Sequence, residues 1–137
     1  MTGRILIDLF MTLDGVAQGP GGTDEDPSGG FEFSGWQAGY PSSGMGETVS
    51  QGMQRLDALL LGRRTYDIFA SYWPHHTEGP SGEIGRLFDR VPKYVASRNP
   101  DIALAWQNSH RVGDDLAAEI AELRAQHDEV HVIGSID

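Results

Sequence analysis

Asp57-Ala58-Leu59-Leu60-Leu61-Gly62-Arg63-Arg64-Thr65-Tyr66 is the stretch whose reading decides the fold. Residues 57–61 are a short, largely apolar run stopped by glycine, which reads as a buried strand. Residues 65–73 then place Tyr66, Phe69, Ala70 and Trp73 on one side of a helix that Pro74 ends. A strand that turns through glycine into a helix is the opening of a βαβ unit, and parallel strands need such crossovers. The turn also has a chemical reading. Glycine lets the backbone approach a phosphate, a helix start offers free N–H groups, and arginine and threonine add donors. The plain alternative is that the arginines are solvated and Thr65 supports the first helical turn.

The same alternation extends both ways from this stretch. Residues 4–10 read as a buried strand, and residues 45–56 as a helix with Met45, Val49, Met53 and Leu56 on one face. Residues 84–88 make a short helix between Gly82 and Pro92. Residues 94–97 read as a strand and residues 102–106 as a short fourth one. Asp114 or Asp115 caps a helix running to Gln126, with Leu116, Ile120 and Leu123 facing inward, and residues 129–133 are a last strand ending at Gly134. Strands alternating with helices predict a three-layer α/β fold: a central, mostly parallel twisted sheet with helices on both faces. A length of 137 residues suits one such domain spanning residues 1–137.

Ligands of open α/β sheets collect at the carboxyl ends of the strands. Three ends here share a character: Gly62-Arg63-Arg64-Thr65, Ser97-Arg98 and Gly134-Ser135. Together they predict a shared anion pocket that holds three of the ten basic residues. Between the first strand and first helix lies a loop, from Gly19-Pro20-Gly21-Gly22 to Asp26-Pro27-Ser28-Gly29-Gly30, dense in turn formers. Phe31, Phe33, Trp36 and Tyr40 follow it. They read either as core anchors or as a wall for a flat ligand.

Composition narrows the partners. Hydrophobic residues make up 39% and charged residues 22%, which argues for a globular chain. Twenty acidic against ten basic side chains give a formal charge of −10, a field that disfavours nucleic acid and anionic membrane. No apolar run is long enough to span a bilayer and no secretory pattern opens the chain, so a cytoplasmic location is expected. Without cysteine there is no disulfide, thiolate ligand or thiol nucleophile. His75 and His76 are adjacent, and His110, His127 and His131 are scattered, so no metal site is expected.

Nearly the whole chain resembles the dihydrofolate-reductase-like superfamily, especially bacterial proteins related to the reductase domain of riboflavin biosynthesis. The resemblance rests on Met11-Thr12-Leu13-Asp14-Gly15-Val16 and Asp24-Glu25-Asp26-Pro27-Ser28-Gly29-Gly30-Phe31. It continues through Ala58-Leu59-Leu60-Leu61-Gly62-Arg63-Arg64-Thr65-Tyr66, Tyr72-Trp73-Pro74 and Lys93-Tyr94-Val95-Ala96-Ser97-Arg98. The first and last of these three segments carry the weight: Leu-Leu-Gly-Arg-Arg-Thr-Tyr and Lys-Tyr-Val-Ala-Ser-Arg, in that order, are the specific ones.

The resemblance implies a dihydrofolate-reductase-like fold and an NADPH-dependent reductase acting on a small heterocyclic or carbonyl substrate, similar to the phosphoribosylaminouracil reductase. It assigns Gly62, Arg63, Arg64 and Thr65 to the pyrophosphate and adenosine end, and Ser97 and Arg98 to the ribose and its 2′-phosphate. Gly134 and Ser135 take the place of the family's glycine pair, with serine for the second glycine. Phe10 and Ala17 border the nicotinamide, Asp14 is the candidate proton donor, and Phe31, Trp36 and Tyr40 lie on the substrate side. Asp14 has a second reading as a turn carboxylate beside Gly15 and Val16. The alternative function is a non-catalytic nucleotide- or ligand-binding module of the same fold. The family continues beyond the position of Asp137 with a helix and a terminal hairpin. The expectation is therefore a C-terminally incomplete domain lacking both, with uncovered sheet surface that favours a homodimer.

Overall fold

In a computed structural model, residues 2–40 and 42–134 are described. They divide into two compact units, one built from residues 2–8 and 55–134 and the other from Leu9–Gln54.

The first unit holds five strands: β1 (Arg4–Asp8), β2 (Ala58–Gly62), β3 (Lys93–Ala96), β4 (Ser109–Val112) and β5 (Glu129–Ile133). They form one sheet in the order β1-β5-β2-β3-β4, and every neighbouring pair is parallel. Of the four helices, α1 (Ser43–Gly52) belongs to the second unit, and α2 (Arg63–Tyr72), α3 (Gly82–Arg90) and α4 (Leu116–Gln126) belong to the first.

Strand alternation sorts the core into two faces. Ala58, Leu60, Val112 and Val130 join Leu123 and Ile120 of α4 in one aliphatic cluster. The opposite-facing residues Leu59, Leu61, Val95 and His131 are sealed with Tyr66 of α2 and Phe88 of α3. Phe69 of α2 stacks on Phe88 at 5.7 Å between ring centroids. Helices therefore cover both faces, and the fold is the expected three-layer α/β architecture. None of the described helices is long and apolar enough to cross a membrane.

Helix α3 runs longer than the expected residues 84–88, and four further elements depart from the sequence expectation. The fourth strand is Ser109–Val112, not residues 102–106. Trp106 is instead a core side chain whose backbone N–H donates to Tyr66 Oη at 2.9 Å and whose indole donates to Asp89 Oδ1 at 2.9 Å. That spends its backbone on a side chain rather than on a ladder. The first strand ends at Asp8 instead of residue 10, and it is a sheet edge rather than a buried strand, leaving Ile7 73% exposed. Helix α2 starts at Arg63, two residues early, because Gly62 adopts the extended N-cap geometry. Helix α1 is displaced toward Ser42, whose hydroxyl accepts from Met45 N at 3.1 Å. It ends at Gly52, so Met53 and Leu56 lie beyond it.

Candidate functional site

Parallel register brings the carboxyl ends of all five strands to one edge. Gly62 pairs with Ala96, and Ala96 with Val112. Leu60 pairs with Val132, and Asp8 with Ile133. Gly134 follows β5 immediately and Ser97 follows β3, so residues 62–65, Ser97-Arg98 and Gly134 share that edge.

Helix α2 opens on it. Gly62 has no side chain to cap the first-turn N–H groups, so their positive end is left for another acceptor. Arg63 folds back on Asp67, with Nε donating to both carboxylate oxygens at 3.0 and 2.8 Å. This i,i+4 pair is an ordinary exposed helix contact. Arg64 is exposed in the same turn. Gly134 has φ +74°, where a side chain is strained, and a Cβ there would lie 3.5 Å from Thr65 Oγ1. The Thr65 hydroxyl and the Gly134 backbone are thus neighbours across β2 and β5, and among the described residues no side chain other than that of Thr65 and the chain neighbours of Gly134 comes within 4 Å of its Cβ position.

Ser97 is fixed from β4. The Arg111 guanidinium donates to Ser97 O at 2.8 Å and to Asp114 Oδ1 at 2.5 Å. Gly113 approaches so closely that a Cβ would sit 2.5 Å from Ser97 O. The Ser97 hydroxyl accepts from Asn99 N at 3.1 Å, shaping the turn that carries Arg98. Arg98 is exposed, and its guanidinium forms no hydrogen bond or ion pair among the described residues. Ser135, the last member of the expected anion pocket, lies outside the described residues.

Phe10, Asp14, Ala17, Phe31, Trp36 and Tyr40 all belong to the Leu9–Gln54 unit. Within it, Thr12 Oγ1 donates to Asp14 Oδ1 at 2.6 Å and accepts from Val16 N at 2.8 Å. Thr12 N donates to Val16 O at 2.9 Å and Gly15 N to Thr12 O at 3.0 Å. The Thr12 hydroxyl, and then a backbone N–H, hold the exposed Asp14 carboxyl below its usual range. Asp14 therefore takes part in a tight turn. Phe10 is exposed and Ala17 half-buried. The Trp36 indole donates to Gln18 O at 2.9 Å and is an anchor of its unit. Phe31 meets Phe33 edge-on, while Tyr40 is 81% exposed. The Gly-rich loop is ordered from within: Glu25 Oε2 accepts from Gly21 N and Gly22 N at 2.6 and 2.7 Å.

Three polar residues to which the sequence reading gave no role at the site lie in the sheet unit. Lys93 is fully buried, donating to Phe88 O and Asp89 O at the end of α3 and lying 4.3 Å over the Trp106 ring. Burial pulls its pKa down to about 8, against the opposing pull of Asp89. His131 is sealed in β5, with Nδ1 2.5 Å from Asp8 Oδ2. Glu129, also buried, pairs with Arg4 and with Arg55 at 3.5 Å. The Arg4 hydrogen bond is the main cause that holds its carboxyl below the usual range. The signal for His131 was present: a histidine inside Val130-His131-Val132 is a polar group within an otherwise aliphatic strand. Among the described residues no cluster fit for a metal ion occurs.

Comparison with known proteins agrees with this architecture. Residues 4–133 match the model of the RibD C-terminal domain. The chain is 29% identical over 96 residues, 69% of its length, to the Bacillus subtilis (strain 168) protein titled "Uncharacterized protein YyaP". That match covers 44% of the relative's own length. With the family model covering the sheet from β1 to β5, the chain belongs to the RibD C-terminal domain family, a branch of the dihydrofolate-reductase-like superfamily.

Proposed function

We propose that this chain binds NADPH along the carboxyl edge of its sheet and transfers hydride to a small heterocyclic or carbonyl substrate. Members of the family usually bind NADPH. The single observation that carries the reading is the cradle at Gly134. A left-handed glycine faces the Thr65 hydroxyl beside the uncapped start of α2, a placement suited to a pyrophosphate. The residues fit the group: the first-turn N–H groups of α2, Thr65 and the Gly134 backbone would hold the pyrophosphate, with Arg63 and Arg64 flanking it. Ser97 and Arg98 would hold the ribose and its 2′-phosphate. When bound, the dinucleotide supplies the hydride, and the protein positions and shields it.

Arg98 carries the choice between NADPH and NADH, because an unpaired guanidinium gains most from a phosphate. Arg98→Ala should weaken NADPH about 10- to 100-fold, the value of one charge-assisted contact, and leave NADH nearly unchanged. Equal losses for both cofactors count against the assignment.

One observation favours a second reading, a binding module without turnover. Asp14, the carboxylate expected to donate the proton, is engaged in a turn and held below its usual range. Homodimer formation belongs to the same set of proposals, motivated by the exposed Ile7 on edge strand β1. Light scattering showing a monomer at high concentration removes it.

A further inference from the structure

The edge that carries Gly134 also carries Asp8, whose carboxylate contacts the imidazole of His131 in the middle of β5, a pair that cofactor binding leaves unused. His131 has none of its surface exposed and sits in register with Leu6 on one side and Leu59 on the other. Its Nδ1 lies 2.5 Å from Asp8 Oδ2, while the Asp8 side chain remains 36% exposed at the end of β1. Its Nε2 is buried without a hydrogen-bond partner among the described residues, 3.7 Å from Glu129 Oε2. A buried polar nitrogen left unpaired is costly, and such exceptions call for a reason beyond packing. The other charged groups around the pair are Arg4 on β1 and Arg55 ahead of β2, and both engage Glu129.

We propose that Asp8 delivers the proton in the reaction of this site, with His131 as a positioning residue acting through it. The proposal rests on the reductase reading above. Hydride addition to a C=O or C=N carbon, with the reduced dinucleotide as two-electron donor, moves the π pair onto the heteroatom, which must take a proton. The Asp8–His131 pair in its proton-bearing form is written either as the Asp8 acid beside a neutral ring or as a carboxylate beside an imidazolium. In the first form the Asp8 O–H bond breaks, the proton goes to the heteroatom, and the bonding pair stays on the carboxylate. That carboxylate then accepts the Nδ1–H of His131, which stabilises it. In the second form both ring N–H groups face carboxylates, Asp8 and Glu129, so the ring stores the proton between turnovers. Water reaches the exposed side of Asp8 and restores the proton. Asp14 offers no such store, because its hydrogen bonds favour the ionised form.

The test is proton counting by isothermal titration of the full chain with NADP+ and with NADPH, each in two buffers of different ionisation enthalpy at one pH. The proposal sets the nicotinamide ring beside the pair, where its cationic form disfavours a bound proton and its neutral form does not. The expected result is release of a fraction of a proton with NADP+ beyond that seen with NADPH. Asp8→Asn, a change on a part-exposed side chain, should abolish the difference while circular dichroism shows an unchanged fold. His131→Gln should do the same wherever it folds. Equal proton counts for the two cofactors in the parent chain, or a difference that survives Asp8→Asn, overturns the proposal. Failure of either cofactor to bind is a separate outcome, which overturns the reductase reading and this proposal with it.

Discussion

Lys93 and His131 occupy the same row of the sheet, both in register with Leu59, and both are sealed from water. Their surroundings differ. The Lys93 ammonium has two carbonyl acceptors at the end of α3 and the Trp106 ring above it, so its burial is compensated on several sides. The His131 ring has one strong partner, Asp8, and one nitrogen with none among the described residues. A buried cation whose donors close a helix is structural cement. A buried ring with one nitrogen unpartnered among the described residues and a part-exposed carboxylate beside it is the pair to which the proton transfer proposed above is assigned. The lesson is to ask what a buried polar group leaves unsatisfied, rather than only whether it is buried.

Three substitutions test the contrast, beginning with the largest effect. Once an electron acceptor is in hand, Asp8→Asn should lower kcat by about a hundredfold or more with little change in KM, the range for losing a general acid. A KM effect alone points to binding instead. Lys93→Met should leave cofactor proton counts unchanged but alter stability against pH. The folded value of about 8 lies below the ordinary 10.5, so between these the unfolded chain binds more proton and the parent gains stability as pH rises. After screening is allowed for, that gain amounts to about 1–2 kcal/mol, and denaturant melts of the methionine variant should show a flatter profile over this window. Glu129→Gln should have the smallest effect, a few degrees in Tm. Its carboxyl is held low, so the contribution is present at neutral pH and disappears as pH falls through the folded value. An unchanged acid limb in that variant contradicts the ion pairs drawn here.

How much of this was legible depends on whether a residue's neighbours in the chain are also its neighbours in space. Leu59-Leu60-Leu61 followed by Gly62 is a local pattern, and β2 with the start of α2 follows from it within two residues. Strand β5 is equally plain. Ser109-His110-Arg111-Val112 carries no apolar signal, because β4 is a polar edge strand held by its ladder to β3. The more apolar residues before it lend only Trp106 to the core. The motif positions at Gly62, Thr65, Ser97 and Gly134 were readable from glycine and hydroxyl residues at strand ends. The Asp8–His131 contact was not, since 123 residues separate the partners and only the β1–β5 register brings them together. Arg111 was hidden for the same reason, reaching Ser97 across 14 residues.

The central claim is that the carboxyl edge formed by residues 62–65, Ser97-Arg98 and Gly134 is a site for NADPH. It is tested most directly by titrating the chain with NADPH and with NADH while following cofactor fluorescence. The account predicts saturable binding of both, tighter for NADPH by about one order of magnitude or more, as a single arginine–phosphate contact supplies. Equal affinities contradict the role given to Arg98, and no binding of either contradicts the site itself.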